Sequence, residues 1–312
     1  MRIAYLVLAH DQPEMFARLV RALEADGVSV FAHIDAKAEQ TLFTPAGMGK
    51  DIRFVLDRIR VNRGGYSQVD AMLRLLRLAA NHGPHDYYIF LSGRDYPLKS
   101  NYEIADFLQL SAGRSYINFY PLVEGTAFVE KIRTYCFYDA YARLGHPLLR
   151  KSANRAVRIL SALVPARRFL DGFVPYRGST SWCLSQPLVT YILEFVSDAR
   201  NSLFLQYFRS VYGCDEIFFQ TIVLNSPLAP TCAGYDEDIR NKRPGDMKNE
   251  NKVYLHYIDW SPERENPALL DLRDLPALAA SDKFFSRKFD SQKSSRLLDK
   301  LDSLRGPVAP SK

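Results

Sequence analysis

The sequence predicts an α/β protein with a mostly parallel central sheet flanked by helices. Three observations predict it. A continuous apolar run at Ile3–Ala9 reads as a buried parallel strand and Val28–Ile34 as a second strand, with helical apolar spacing between them. A third such run, residues 87–91, follows a second helical stretch. Each run stops at polar residues, and in open α/β sheets that edge is where ligands bind. A chain of 312 residues can bury a large core, and its length suits one big α/β domain or two small ones.

Asp11 and Glu14 have the spacing of a capping box, and Phe16, Leu19, Val20 and Leu23 form one helical face that Gly27 ends. Val28–Ile34 stops at Asp35. The unit therefore reads β-α-β, and a right-handed crossover makes its strands parallel neighbours. Residues 52–56 form a short strand ahead of Val61-Asn62-Arg63-Gly64-Gly65-Tyr66-Ser67, and Ser67 begins a helix with Val69, Met72, Leu73 and Leu76 inward. After the strand at 87–91 the chain breaks at Ser92-Gly93-Arg94-Asp95-Tyr96-Pro97, and Asn101 caps a helix carrying Ile104, Phe107 and Leu108. Residues 125–177 are rich in Tyr, Arg and Leu and hold helical stretches such as 154–163. Residues 181–184, a helix over 187–196 and the apolar run 218–224 resume the ordered core. A polar loop over 236–251 precedes a late strand at 253–258, and the chain frays after about Asp302.

Lys and Arg number 41 against 35 Asp and Glu, a formal charge of +6. The basic residues are scattered, with local groups at Arg74/Arg77 and Arg167/Arg168, so no nucleic-acid stripe is present. A basic, Leu-rich stretch over 154–170 suits peripheral contact with a membrane. No Gly-x-Gly-x-x-Gly follows the first strand, which excludes a dinucleotide-dependent oxidoreductase. Cys136, Cys183, Cys214 and Cys232 show no CxxC pair and read as isolated thiols in a reducing compartment. The run at Ile3–Ala9 is closed by His10 and Asp11 and is too short to span a bilayer, so the chain reads as cytoplasmic, at most at the inner face of a membrane.

Four stretches are unusual together: Phe31-Ala32-His33-Ile34-Asp35-Ala36-Lys37; Phe90-Leu91-Ser92-Gly93-Arg94-Asp95-Tyr96-Pro97-Leu98-Lys99; Gly178-Ser179-Thr180-Ser181-Trp182; and Asp215-Glu216-Ile217-Phe218-Phe219-Gln220-Thr221. With them the chain resembles the core-2/I-branching enzymes, a family of β-1,6-N-acetylglucosaminyltransferases with a related branch of protein O-xylosyltransferases. The resemblance runs from Ile3 to about Ser291 and is weakest over 125–177. It implies a GT-A-like fold in one domain, 1–302, with a nucleotide-sugar half over about 1–120, an acceptor and catalytic half over about 121–302, and a flexible tail over 303–312. It also implies a UDP-sugar donor, a carbohydrate acceptor that can be lipid-linked, inversion at the anomeric carbon, and no metal or other cofactor. Without a long N-terminal anchor or many cysteines, the chain is similar to short bacterial members that build surface polysaccharide.

An inverting transferase needs one general base for the acceptor hydroxyl and a means of neutralising the departing diphosphate. By resemblance the base is Glu216, from the family's Pro-Asp-Glu segment, with Cys214 in place of the Pro; Asp215 reads as the N-cap of the next helix, beside the acceptor. A metal-dependent site would offer Asp-x-Asp at a strand end, whereas here that strand end has Asp95 flanked by Arg94. The Asp236-Glu237-Asp238 segment lies in the polar loop and reads as solvated. In Phe284-Phe285-Ser286-Arg287-Lys288-Phe289-Asp290, Lys288 matches the family's diphosphate contact. The second diphosphate residue, an Arg in the family, aligns near His256, which carries less charge at neutral pH; Arg240, Lys242 or Arg243 can supply what it lacks. Asp35 matches the uridine contact, with Ala9, His10 and Arg63 beside it and Asp95 toward ribose or donor sugar. Ser179, Trp182 and Trp260 are expected at the acceptor, and Tyr66 is a further candidate sugar platform. The rival from another class is a non-catalytic UDP-sugar or glycan-binding protein, which turnover separates.

Overall fold

The structure is a computed structural model and describes residues 1–44, 51–122, 127–238 and 255–306. The chain opens with β1 (Ile3–Ala9), α1 (Pro13–Leu23), β2 (Val28–Ile34) and the short β3 (Ile52–Phe54). Next come α2 (Tyr66–Asn81), β4 (Tyr87–Ser92), β5 (Asp95–Pro97) and α3 (Asn101–Leu110). Short strands β6 (Tyr116–Ile117) and β7 (Tyr120–Pro121) lead into α4 (Ala127–Arg133), α5 (Tyr138–Tyr141) and α6 (Pro147–Leu163). Then follow β8 (Tyr176–Arg177), β9 (Trp182–Ser185), α7 (Gln186–Ser197), α8 (Ser202–Phe208) and α9 (Phe218–Leu224). The chain closes with β10 (His256–Ile258), α10 (Leu275–Ala279), β11 (Phe285–Arg287) and α11 (Ser295–Arg305).

The main sheet has the order β3-β2-β1-β4-β9-β6. Its first four strands are mutually parallel, and β9 runs antiparallel between β4 and β6. The α/β class and the mostly parallel, helix-flanked sheet are as expected. Successive side chains of a strand point to opposite faces, and β1 shows the consequence. Ile3, Tyr5 and Val7 join Phe16, Leu19 and Leu23 of α1 in one core, while Ala4 and Leu6 join Met72 and Leu76 of α2 in the other. Because β9 follows the middle segment yet pairs with β4, the two halves of the chain share one sheet.

A second sheet, β10-β11-β5, lies off the end of β4. There β11 pairs antiparallel with β5, placing Arg287 opposite Asp95, about 190 residues away in the chain. That pairing brings the C-terminal segment to the strand ends.

Several local expectations are corrected. The N-cap of α1 is Gln12, in left-handed backbone (φ 55°), and no side chain caps the helix. Gln12 instead binds outward: its Nε2 donates to Asp290 (3.0 Å), and its Oε1 accepts from the Ser291 amide (3.0 Å). The helix ends at Leu23, and Gly27 serves the following turn at φ 78°. Ser100, not Asn101, caps α3, in a capping box with Glu103; Asn101 ties the helix to the Ala22 and Glu24 carbonyls. The third strand stops at Phe54, leaving Leu56 exposed. The last helix continues through Arg305, whose guanidinium donates to the carbonyls of Ala22 (2.6 Å) and Lys99 (3.0 Å), so 303–305 are anchored rather than frayed. The late strand starts at His256, after Leu255; residues 253 and 254 of the expected strand lie outside the described residues, and so do Arg240, Lys242 and Arg243.

Candidate active site

The ends of β1, β2 and β4 meet at one edge because the strands are parallel and in register, Ala9 beside Ile34 and Leu8 beside Ser92. A cleft of about 780 Å³ opens there. Gly93 forms part of its floor: its amide donates to Leu8 (2.9 Å), and a Cβ on it would come within 2.7 Å of the Ala9 methyl. Asp35, at the end of β2, is 2% exposed. Its carboxylate accepts from the Lys37 amide (2.8 Å) and lies 3.3 Å from the Lys37 ammonium, while its own amide donates to Ala9 (2.8 Å).

One side of the cleft is cationic. The Asp95 carboxylate is fully buried beneath it and accepts from the Ser92 amide (2.9 Å), with Arg287 Nε at 3.6 Å and His256 Nε2 at 3.4 Å. Burial pushes this carboxyl up, but Arg287 and His256 outweigh it and hold the group below its ordinary range. Asp95 thus pairs electrostatically with Arg287, which lines the cleft. The peptide joining Arg287 to Lys288 is cis. Arg94 donates to the Phe289 carbonyl (2.8 Å) and lies 3.4 Å from Asp290 and 3.5 Å from Asp11. Lys288 has its pKa lowered, first by burial and then by Arg94, with Arg287 and Arg63 adding to it and Asp11 opposing. Like charges gathered in this way favour a multiply charged anion.

The other functional side is acidic. Cys214, Asp215 and Glu216 form one tight 3₁₀ turn after Gly213, whose positive φ (71°) suits glycine. The Gly213 amide donates to Gly64 (2.7 Å), tying the turn to the loop that carries Arg63. Asp215 is buried and accepts from Gln68 Nε2 (2.8 Å). Burial, then neighbouring Glu216, raises its pKa to about 7. Glu216 is half-buried and lines the cleft, and its carbonyl accepts from the Gly178 amide (2.7 Å). A Cβ at Gly178 would overlap the Asn118 carbonyl at 1.7 Å, so only glycine brings Ser179 this close. Arg177 lies over the Phe128 ring at 4.0 Å; burial lowers its pKa, against Tyr120 and Glu216.

The cleft therefore gathers Ala9, His10, Asp35, Arg63, Ser179, Asp215, Glu216, Trp260 and Lys288 from the expected set. Five expectations fail on placement. Trp182 is 2% exposed and stacks on Phe90 (5.4 Å, 30°), so it is core and not an acceptor platform. Asp95 and His256 are 0% and 2% exposed, face each other at 3.4 Å, and do not line the cleft. Tyr66 packs on Phe218 and lines a different cavity. Asp215 is not a helix cap either, since α9 starts at Phe218 with no side-chain cap. The structure adds Lys37, Gln68, Arg94, Arg177 and Arg287 to the lining. Arg94 and Arg287 each adjoin a residue that the resemblance singled out, which was the available signal.

Among the described residues no group of three or more His, Cys, Asp and Glu could hold a metal ion. Asp236 accepts from the Asp238 amide (2.9 Å), and that segment does not line the cleft.

The sequence model of the Core-2/I-Branching enzymes matches residues 3–279. The chain belongs to the Core-2/I-Branching enzyme family. Among its relatives, Xylosyltransferase 2 of Mus musculus is 25% identical over 320 residues, covering 99% of this chain and 34% of its own length. Xylosyltransferase oxt of Drosophila pseudoobscura pseudoobscura is 27% identical over 320 residues, covering 98% and 34%. The chain thus spans about a third of the length of these family relatives. Among solved structures, glucosyl-3-phosphoglycerate synthase of Mycobacterium tuberculosis, in complex with Mn²⁺, UDP and phosphoglyceric acid, aligns at a TM-score of 0.30 and 12% identity over 61% of this chain and 57% of that one.

Proposed function

We propose that the chain transfers a sugar from a UDP-sugar to a carbohydrate hydroxyl with inversion, and that basic side chains rather than a divalent ion oppose the charge of the leaving diphosphate. One observation carries this reading: a half-buried carboxylate, Glu216, shares a cleft with Lys288, which has Arg63, Arg94 and Arg287 in electrostatic reach. The first suits a general base and the second a diphosphate. Membership of a family of transferases supports both roles.

In this reading Asp35 faces the nucleoside at the end of β2, and Ser179 and the exposed Trp260 meet the acceptor. Glu216 takes the proton of the acceptor hydroxyl as its oxygen bonds to the anomeric carbon. The bond from that carbon to the β-phosphate oxygen breaks on the opposite face, giving an inverted glycoside and UDP. Lys288, Arg94 and Arg287 stabilise the charge that develops on the phosphate, so their effect grows toward the transition state. The cation that Asp95 orients, Arg287, takes the place expected for His256 or the loop at 240–243.

Glu216→Gln tests the reading, because it removes the base and keeps size and much of the hydrogen bonding. Turnover should fall about 10²-fold or more, as loss of a general base does, with UDP affinity by calorimetry little changed. Near-normal turnover would move the base elsewhere, first to Asp215. UDP-xylose belongs first in the donor panel, since the relatives' names point to xylosyl transfer.

A further inference from the structure

We propose that the surface built on α6 docks the protein onto an anionic lipid membrane. From Ala140 to Leu170 the sequence contains no Asp or Glu and seven Arg or Lys. The 21 residues from Leu144 to Val164 also carry seven of the eighteen exposed large hydrophobic side chains among the described residues. Charge and apolar exposure therefore coincide on one element.

The helix touches the body along a narrow stripe. Among its described positions Ala153, Val157 and Ser161, four residues apart, are the partly buried ones. Ser161 Oγ accepts from the Tyr135 amide (2.9 Å), and Asn154 Oδ1 accepts from the Tyr141 hydroxyl (3.1 Å). Leu148, Leu149, Ile159, Leu160 and Leu163 are 53–76% exposed. At about 100° per residue they share one face with Ser152 and Ala156, roughly a third of a turn from the attached stripe. Lys151 and Arg155 border that face, and Arg143 and Arg168 lie beyond its ends; among the described residues none of the four has a carboxylate partner. An adjoining groove of about 610 Å³ shares Phe137 and Arg143 and is lined by Arg60, Arg77 and Arg209 against the two carboxylates Asp70 and Asp139, so it too is net positive.

A contiguous apolar face on a water-soluble surface marks an interaction site. A second copy would set the same cations against each other, whereas anionic headgroups complement them. Leucines at the centre of a face with Lys and Arg at its edge are what an interfacial helix presents to the boundary between headgroups and acyl chains. Among the described residues no helix is long and apolar enough to cross a membrane, so the contact is one of lying on the surface.

The test is sedimentation of the full chain with vesicles of phosphatidylcholine alone and of phosphatidylcholine with about 30 mol% phosphatidylglycerol. No nucleotide sugar is added, so the outcome is independent of the transferase reading. The protein should sediment with the anionic vesicles, release as salt is raised, and stay mostly in solution with the neutral ones. The triple variant Leu149→Asp, Leu160→Asp, Leu163→Asp, at exposed positions, should lose about ten-fold or more in vesicle affinity. Lys151→Glu with Arg155→Glu should lose the preference for anionic lipid. Circular dichroism and thermal unfolding unchanged in both variants exclude misfolding. Wild-type protein that ignores both vesicle types overturns the proposal. A lipid-free dimer that the triple variant converts to monomer also overturns it, in favour of a second copy.

Discussion

Lys288 and Asp215 carry the clearest consequences of single groups in the cleft. If Lys288 opposes the diphosphate, Lys288→Ala should weaken UDP binding and lower turnover together. A charge-assisted contact is worth roughly 1.5–3 kcal/mol, about 10- to 150-fold. Arg at the position should restore only part, because a planar fork does not reproduce a compact ammonium. Steady-state kinetics with UDP titration checks this, and unaltered constants would leave Lys288 a surface charge. Asp215 makes a prediction about pH. Its pKa in the folded chain is about 7, against an ordinary value of 3.8. The folded state therefore binds the proton more tightly than the unfolded state, and stability falls as pH rises from about 4 to 7. Asp215→Asn keeps an acceptor for Gln68 and removes that cost. It should stabilise the protein by roughly 2–4 kcal/mol at pH 8 and much less at pH 5, read by urea unfolding at both values. Equal gains at the two pH values would contradict it. Asp95 has the opposite sign: its lowered pKa contributes stability above the ordinary carboxyl range that is lost on acidification.

At the scale of elements, the loop bearing Arg63 is held by the segment over 125–177, where the family resemblance is weakest. Asp139, in α5, accepts from the Asn62 side chain (2.8 Å), the Ser67 amide (2.8 Å) and the Ser67 hydroxyl (2.6 Å), capping the start of α2 from outside. A Cβ at Gly65 would come within 2.3 Å of that carboxylate, which is why the loop is glycine there. Asp139→Ala should cost about 1–3 kcal/mol in urea unfolding and raise KM for the donor through a loosened Arg63. An unchanged KM would confine Asp139 to stability. The strands β1 and β4 and the inward face of α2 were legible because burial on both faces leaves an unbroken apolar run and helical packing leaves a 3.6-residue period; β2 was legible from Val28, Val30, Phe31, Ala32 and Ile34 despite Ser29 and His33. Caps were less legible: Asp11 and Asn101 have the right residue types, but tertiary partners drew Gln12 and Asn101 elsewhere and left capping to Ser100. The pairing of β11 with β5 left no local signal, so Arg287 over Asp95 was invisible, and the buried Trp182 is chemically identical to an exposed one.

At the scale of the molecule, the sheet edge does what parallel topology leads one to expect: it collects strand ends from across the chain into one cleft. Asp35, Glu216 and Lys288 could be named in advance through resemblance to a family, since each sits in a short motif. The supporting cations could not, because they depend on how the C-terminal segment folds back over β5. The central claim is that fixed cations replace a divalent ion at the diphosphate. It is tested most directly by release of UDP from a panel of UDP-sugars, with carbohydrate acceptors, in excess EDTA and again with added manganese. UDP release from at least one donor at the same rate in EDTA and in manganese is the predicted result. Complete loss in EDTA, restored by the divalent ion, would contradict it and return Asp236 and Asp238 to consideration as ligands.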